Sequence, residues 1–563
     1  MLLLLVSWGI ILLACIPYGY ALSKVTEEAG SDDQKKSLSL IFLLGLASVS
    51  CIVSWFSLAV TIGPAMLAAI LLGSVLIMVS MRGEFQPFVQ YHIDRFRRLH
   101  WSVWGILLAL LMLCLYFSAG PILVYDTGLY HAQSIQWAES YPVVKGLGNL
   151  HGRLAFNCHS FLLDALFRRP FMQWFGLNAF YPLCGLLFFW LSAFCTLTII
   201  KSFRQGPFAL GMASALIIFF TWFLFPIYVS SPWPDLVLAS ILLLLFLVTT
   251  RTMVYQGRTP SVATLIIISA FAMTVKLSAL MILILPLAVI LNRGMGQFQG
   301  RQWMLFAACF LVMVSPFFAR NVLLSGYLVY PFELLDIFQF DWKVPTDMVI
   351  NERKWIKSWA LVKSADADLL LSKPLPEQYR LWFQSLSFNP RALILSGITG
   401  LSTLVAVFLY RKNRSLLPIV ASLVIMSAFW ILSAPDVRFN YAPLIFSAGF
   451  GISLLFNFNL FSRLAGIALA GLCLYVAVRS IPYHTDKHPY TLAEVILQPK
   501  ELFLERFVYT TEQLNSNVSL LVPDQINKTN RCNDEALPCA PDLNPQLVLR
   551  EDELSKGFRM NSH

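Results

Sequence analysis

Charge is scarce in this chain: Asp, Glu, Lys and Arg make up 13% of its 563 residues, against 57% hydrophobic residues and a mean hydropathy of +0.68. So little polar side chain cannot cover a water-soluble body of this size, which excludes a soluble globular enzyme. The ~10-residue alternating segments of a transmembrane barrel are also missing. So are heptads, fixed-period repeats and low-complexity tracts. The chain has no Walker A loop, no GxSxG elbow and no arrangement of Ser, Cys and His that reads as a nucleophile triad. Its opening, MLLLLVSWGI, lacks the basic leader of a secretory signal, so a retained helix is expected over 1–23.

Long apolar runs take the place of these features. A bilayer core of ~30 Å needs ~20 apolar residues per helix. We count fourteen candidate segments, the last two over 440–461 and 464–481. The expected fold is an all-α polytopic membrane bundle of about 12–14 transmembrane segments. Three helices form an N-terminal part (1–100), a transmembrane module follows (101–481), and a small outer domain closes the chain (482–563). The formal charge of +10 sits largely in short turns such as Arg95, Arg97, Arg98 and Arg411, Lys412, Arg414, with Arg82–His100 read as a loop. That pattern places these turns in the cytoplasm and assigns the charge to orientation, with no nucleic-acid partner. Counting onward puts both termini outside, together with two long loops, 124–176 and 320–391. The second loop carries nine Lys or Arg against eight Asp or Glu, and the tail carries eight against twelve.

Seven cysteines lie in apolar runs, where a thiol behaves as a small hydrophobe. Cys532 and Cys539, in NRCNDEALPCAP, read instead as a short disulfide-closed loop in an oxidising compartment.

The polar groups concentrate in Val124–Asn157, which begins where an uncharged span ends. Asp126, in VYDTGLYH, has two readings: a carboxylate made more basic by partial desolvation, fit to deprotonate a hydroxyl, or a helix cap. Tyr130, His131, Glu139, His151 and Arg153 follow it as candidate substrate contacts. The run Val262–Leu291 is interrupted by Lys276, and two legs of ~21 Å are each too short to cross, so a hairpin with Lys276 near its outer tip is expected. A lysine there needs compensation. An anionic phosphate supplies it on one reading and snorkelling to the headgroups on the other, and on either Lys276→Met is expected to spare the fold. Arg320 and Arg438 are candidates for a phosphate clamp, because a guanidinium fork matches phosphate geometry. Asp366 and Asp368 spell a DxD that no nucleotide-binding strand precedes, and we discount it. The histidines and acids of the 124–157 loop have no diagnostic metal spacing.

This layout resembles that of GT-C glycosyltransferases: an acidic residue in the first large outer loop, a lysine at the tip of a short hairpin, outer arginines, an aromatic outer loop and a folded tail. The stretches VYDTGLYH, GLGNLHGRLAFN, RNVLLSGYLVYPF and PDVRFNYAP also resemble those of a family of bacterial multi-pass membrane proteins placed near that superfamily. The resemblance implies an inverting glycosyltransferase at the periplasmic face of a bacterial inner membrane. Its donor would be a polyprenyl phosphate- or diphosphate-linked sugar and its acceptor a glycan, lipid or protein, with Asp126 as the base. Mg²⁺ or Mn²⁺ at the phosphates is left open. An O-antigen-polymerase-like enzyme, with outer-loop arginines such as Arg353, Arg380 and Arg391, and a lipid-linked-sugar transporter or flippase are the competing readings.

Overall fold

The computed structural model describes residues 1–26, 36–363, 365–455, 490–499, 501–505, 507–524 and 529–561. Its helices in chain order are α1 (Leu2–Thr26), α2 (Leu38–Phe56), α3 (Pro64–Ser80), α4 (Arg82–Arg97), α5 (Trp101–Ser118), α6 (Ala132–Ser140), α7 (Leu147–Leu150), α8 (His159–Phe175), α9 (Leu183–Gln205) and α10 (Phe208–Leu224). They continue as α11 (Pro234–Thr250), α12 (Val262–Val275), α13 (Ile284–Arg293), α14 (Gly300–Ser325), α15 (Thr346–Leu361), α16 (Ala367–Leu371), α17 (Leu375–Ser385), α18 (Phe388–Arg411), α19 (Leu417–Ser433) and α20 (Tyr441–Phe446). Among the described residues, eight helices are long and apolar enough to cross a bilayer: α1, α2, α5, α9, α11, α14, α18 and α19, some with an adjoining turn. The protein is therefore a multi-pass helical membrane protein.

The count of fourteen segments is corrected in its particulars. Helix α10 and the two legs on either side of Lys276 are shorter than a full crossing, and α20 gives way to a π-helical turn, Ser447–Gly451, after six residues. The span expected over 464–481 lies outside the described residues, as does the end of the one over 440–461. The expected loop Arg82–His100 is instead largely helix α4, bent 98° from α3. It folds because its apolar face has a partner: Phe88 packs with Tyr20 and Ile41, while Arg82, Arg95 and Arg97 stay on the outside.

The core centres on α11 and α12, whose residues are buried all round, as fits helices enclosed by other helices. The N-terminal helices are not a separate layer. α2 packs on α8, α12 and α14, and Leu4 and Trp8 share one hydrophobic cluster with Ile445 and Phe446. Helices α1 and α2 touch backbone to backbone, Gly19 against the Ile41 carbonyl and Gly45 against the Cys15 carbonyl, which a side chain at either glycine would prevent.

The all-α expectation fails in the tail. Strands β1 (Tyr509–Gln513) and β2 (Ser519–Pro523) pair antiparallel, as do β3 (Leu547–Leu549) and β4 (Phe558–Met560). Two-stranded sheets are marginal alone. These are held by a second hydrophobic cluster shared with the 124–176 loop and the end of α14, in which Leu520, Val522 and Phe558 meet Trp137, Val144, Leu147 and Tyr327.

Candidate functional site

Beyond α5 the chain turns into a π-helical segment, Thr127–His131, with Asp126 in helical conformation just before it. The Asp126 side chain makes no capping hydrogen bond, so the helix-cap reading falls. It reaches across the molecule instead: Arg438 Nη1 donates to Asp126 Oδ2 at 2.9 Å, and Arg153 Nη1 lies 3.6 Å from Oδ1. Arg438 Nε lies 3.1 Å from Asp436, and Arg153 Nε lies 3.6 Å from Glu352 on α15. Glu352, Arg153, Asp126, Arg438 and Asp436 thus form one alternating row of charges drawn from four distant stretches of chain.

Arg153 makes no hydrogen bond within the described residues, although its side chain is only 11% exposed. Its guanidinium lies over Trp355, 4.3 Å from the ring centroid, with Tyr130 at 5.7 Å. Aromatic faces fix the plane of the fork and leave its N–H edge free to tighten on a ligand, since its two acids stand off at 3.6 Å. Arg438 Nε likewise lacks an acceptor in hydrogen-bonding geometry, and so does Glu352 Oε1 lack a donor.

Lys276 lies beside this row. Helix α12 ends at Val275, Lys276 is extended, and a 3-10 turn, Leu277–Leu283, leads into α13, which folds back on α12 as the length argument required. The compensating charge is Asp235, at the first turn of α11, with Lys276 Nζ donating to Oδ1 at 2.5 Å. The fold itself thus supplies the counter-charge for the lysine. Phe439 connects the two groups, with Lys276 4.2 Å and Arg438 5.2 Å from its ring centroid.

The electrostatics correct one expectation. Burial does push the Asp126 carboxyl up, but Arg438, which also hydrogen-bonds it, and Arg153 outweigh that and hold the group below the usual carboxylate range. Glu352 goes the other way: burial raises it, and Arg153 offsets only part of that. His131, buried under Tyr130 and Phe161, is pushed down to about 3, chiefly by burial, and is a neutral ring.

Other candidates lie elsewhere. Glu139 is clamped by Arg168, whose Nε and Nη2 donate to its two oxygens at 2.6 and 3.0 Å, so a substrate-contact role for it is dropped. Next to that pair, burial pushes Asp164 up to about 8, with Arg168 opposing. Arg320 is buried and donates to Asn157 (3.1 Å) and Ser57 (2.6 Å), tying the loop to the end of α2. It is committed to neutral oxygens and does not join the phosphate-clamp candidates. His151 is half-buried, two residues before Arg153. Asp366 caps α16 by accepting from Leu369 N at 2.8 Å, and Asp368 pairs with exposed Lys354, which leaves the DxD a structural feature.

Cys532 and Cys539 are disulfide-bonded. The loop they close presses on the Asp126 segment: Asn533 N donates to Gly128 O (2.8 Å), Gln133 and Gln136 donate to the carbonyls of Glu535 and Asp534 (2.9 Å each), and Tyr125 bonds Asn530. Among the described residues, no three of His, Cys, Asp and Glu gather in a way that could hold a metal ion. The acids of the charge row face arginines rather than one another. That donor set does not fit Mg²⁺ or Mn²⁺, and no step below runs through a metal.

The sequence reading missed Glu352, Asp235, Trp355 and Phe439. Asp235 had a signal, since a lysine inside an apolar run demands a counter-charge. Glu352 had none: it is one of eight acids in a charge-balanced loop.

Fold and site together define a polytopic helical membrane protein with a half-buried cluster of carboxylates and cations at one end of its bundle. The chain belongs to the family described as Domain of unknown function (DUF8201), whose model matches residues 1–445. No curated protein and no solved structure matches it.

Proposed function

We propose that the protein is a glycosyltransferase that takes a sugar from a polyprenyl phosphate or diphosphate donor held in the bilayer, at the membrane face opposite the arginine-rich turns. That face is the periplasmic side of a bacterial inner membrane if the charge bias of the turns sets the orientation. The observation that carries the reading is Arg153, a planar cation held over an aromatic ring with its N–H edge only loosely paired, at 3.6 Å from Asp126 and Glu352, beside Arg438 and Lys276. The GT-C-like layout of the sequence supports it as well.

In the reaction the acceptor hydroxyl oxygen forms a bond to the anomeric carbon while its proton passes to a carboxylate. The bond from that carbon to the donor phosphate oxygen breaks, and the electron pair stays on the phosphate, held by Arg153, Arg438 and Lys276. One displacement inverts the anomeric configuration. Asp126 is the base, and its low resting basicity becomes part of the mechanism. A phosphate that occupies the two guanidinium groups neutralises the charges that depress Asp126, so burial then dominates and the carboxylate becomes basic only when donor is present.

Untargeted lipid and glycan analysis of a deletion strain beside its parent tests the assignment. Accumulation of one lipid-linked sugar is the expected outcome, and unchanged lipids and glycans would refute it.

A further inference from the structure

A large cavity of the protein lies away from the charge row. It has a volume of about 2010 Å³ and opens among α2, α4, α5, α9 and the far end of α11. Helix α11 begins at Asp235, which holds Lys276, and its last turn runs into Arg251, which lines this cavity. Seventeen residues at ~1.5 Å each put the two places ~25 Å apart, at opposite ends of the bundle.

Six cations line the cavity, Lys36, Arg95, Arg98, Lys201, Arg251 and Arg258, with Asp94 as the one acid among its described lining residues, and Lys36 donates to Ser23 Oγ at 3.0 Å. Asp94 accepts a hydrogen bond from Gln90 (2.8 Å), and among the described residues Arg95, Arg98, Lys201, Arg251 and Arg258 make no ion pair. Arg95, Lys201 and Arg251, from three different helical stretches, face the same cavity. A cavity whose described lining sets six cations against one acid suits an anion. The deeper wall is apolar, with Leu44, Leu107, Leu111 and Phe194, and the neighbouring face of α5 is bare hydrocarbon, Leu108 being 59% exposed. Helix α4 packs Phe85 and Phe88 on Tyr20 and Ile41 and leaves Arg95 exposed at the mouth of this cavity. Small-molecule pockets are ~300–1,000 Å³. This one is larger, and it joins a cationic mouth to an apolar interior.

We propose that this cavity binds the phosphate headgroup of an anionic bilayer phospholipid, with the acyl chains along α5. The guanidinium forks of Arg95 and Arg251 take the phosphate oxygens and Lys201 adds a point charge. The site is independent of sugar transfer at the other end.

The test uses the full-length protein in nanodiscs of phosphatidylcholine into which phosphatidylglycerol is titrated, read by native mass spectrometry of retained lipid and by the thermal unfolding midpoint. One saturable phosphatidylglycerol per chain is expected, with a rise in midpoint that phosphatidylcholine does not give. Each of Lys201→Gln and Arg251→Gln should weaken retention about fivefold, and Arg251→Lys should keep most of it. Equal retention of the two lipids by the parent protein overturns the proposal without reference to any variant. Unchanged retention in a folded Lys201→Gln/Arg251→Gln protein also overturns it. Displacement of the lipid by millimolar inorganic phosphate, with the same midpoint rise from phosphate alone, would make this a soluble-anion site instead.

Discussion

Replacing Asp126 by Asn removes a charge and a proton acceptor while keeping the shape of the side chain. At an effective dielectric of ~20, unit charges at the observed 2.9 and 3.6 Å attract by roughly 5–6 kcal/mol each before desolvation and screening. Little of that is lost from the fold, because each arginine keeps a second acid, Asp436 for Arg438 and Glu352 for Arg153. The expected cost is about 1–3 kcal/mol, that of a charged hydrogen bond. The variant should therefore insert, purify and bind donor. Turnover should fall by at least ~10²–10⁴, the usual contribution of a general base. The pH profile adds a second readout. The acid limb of kcat/KM, which reports the free enzyme, should lie below the ordinary carboxylate range, and that of kcat should lie higher, because bound phosphate cancels the arginines. Glu352 is the rival base, raised by burial and with an oxygen, Oε1, that accepts no hydrogen bond. An Asp126→Asn enzyme that keeps near-parental turnover, beside an inactive Glu352→Gln enzyme, would refute the assignment and transfer the role.

Lys276→Met no longer looks harmless: it strands Asp235, which is 3% exposed, and should cost toward the lower end of ~3–5 kcal/mol because the ammonium is 26% exposed. Lys276→Met with Asp235→Asn should recover most of that in thermal unfolding, and a single variant as stable as the parent would show that the pair is not compensating. Asp164, raised in the fold to about 8 against ~3.9 unfolded, binds its proton more tightly when folded. Its contribution is full below pH ~4 and declines as pH rises to about 8, by at most ~1.4 kcal/mol per unit, and Asp164→Asn should flatten that slope in unfolding measured from pH 4 to 8. Opening the Cys532–Cys539 loop should lower stability by roughly 2–3 kcal/mol on the chain-entropy model, and the Asp126 segment it presses on should gain amide exchange. Protection unchanged after reduction would separate the loop from the site. Labelling of cysteines placed after Arg98 and Arg414 should report the cytoplasm, and after Asn149 and Lys357 the opposite side. A cytoplasmic signal at Asn149 would remove the periplasmic reading.

The sequence by itself determined what hydropathy and local chemistry control. Scarce charge and long apolar runs suffice for a multi-pass membrane protein, because each span satisfies its own backbone and needs no knowledge of its neighbours. The break at Lys276 was legible for the same reason: thirty apolar residues with one charge are too long for one helix and too short for two crossings. Asp126 stood out in the sequence as the first acid beyond an uncharged span, but what it touches was not legible. Arg438 is 312 residues away along the chain and Asp235 is 41 from Lys276, and pairings over such separations are set by how helices pack. Tertiary structure alone decided that Asp126 is a salt-bridged carboxylate and not a helix cap, and that Glu139 and Arg320 are committed to structural contacts. It also decided that Glu352, indistinguishable in sequence from the other acids of its loop, stands in the charge row. A side chain's partners and its basicity both depend on which distant groups share its few ångströms of poorly solvated space, and only the assembled bundle specifies that.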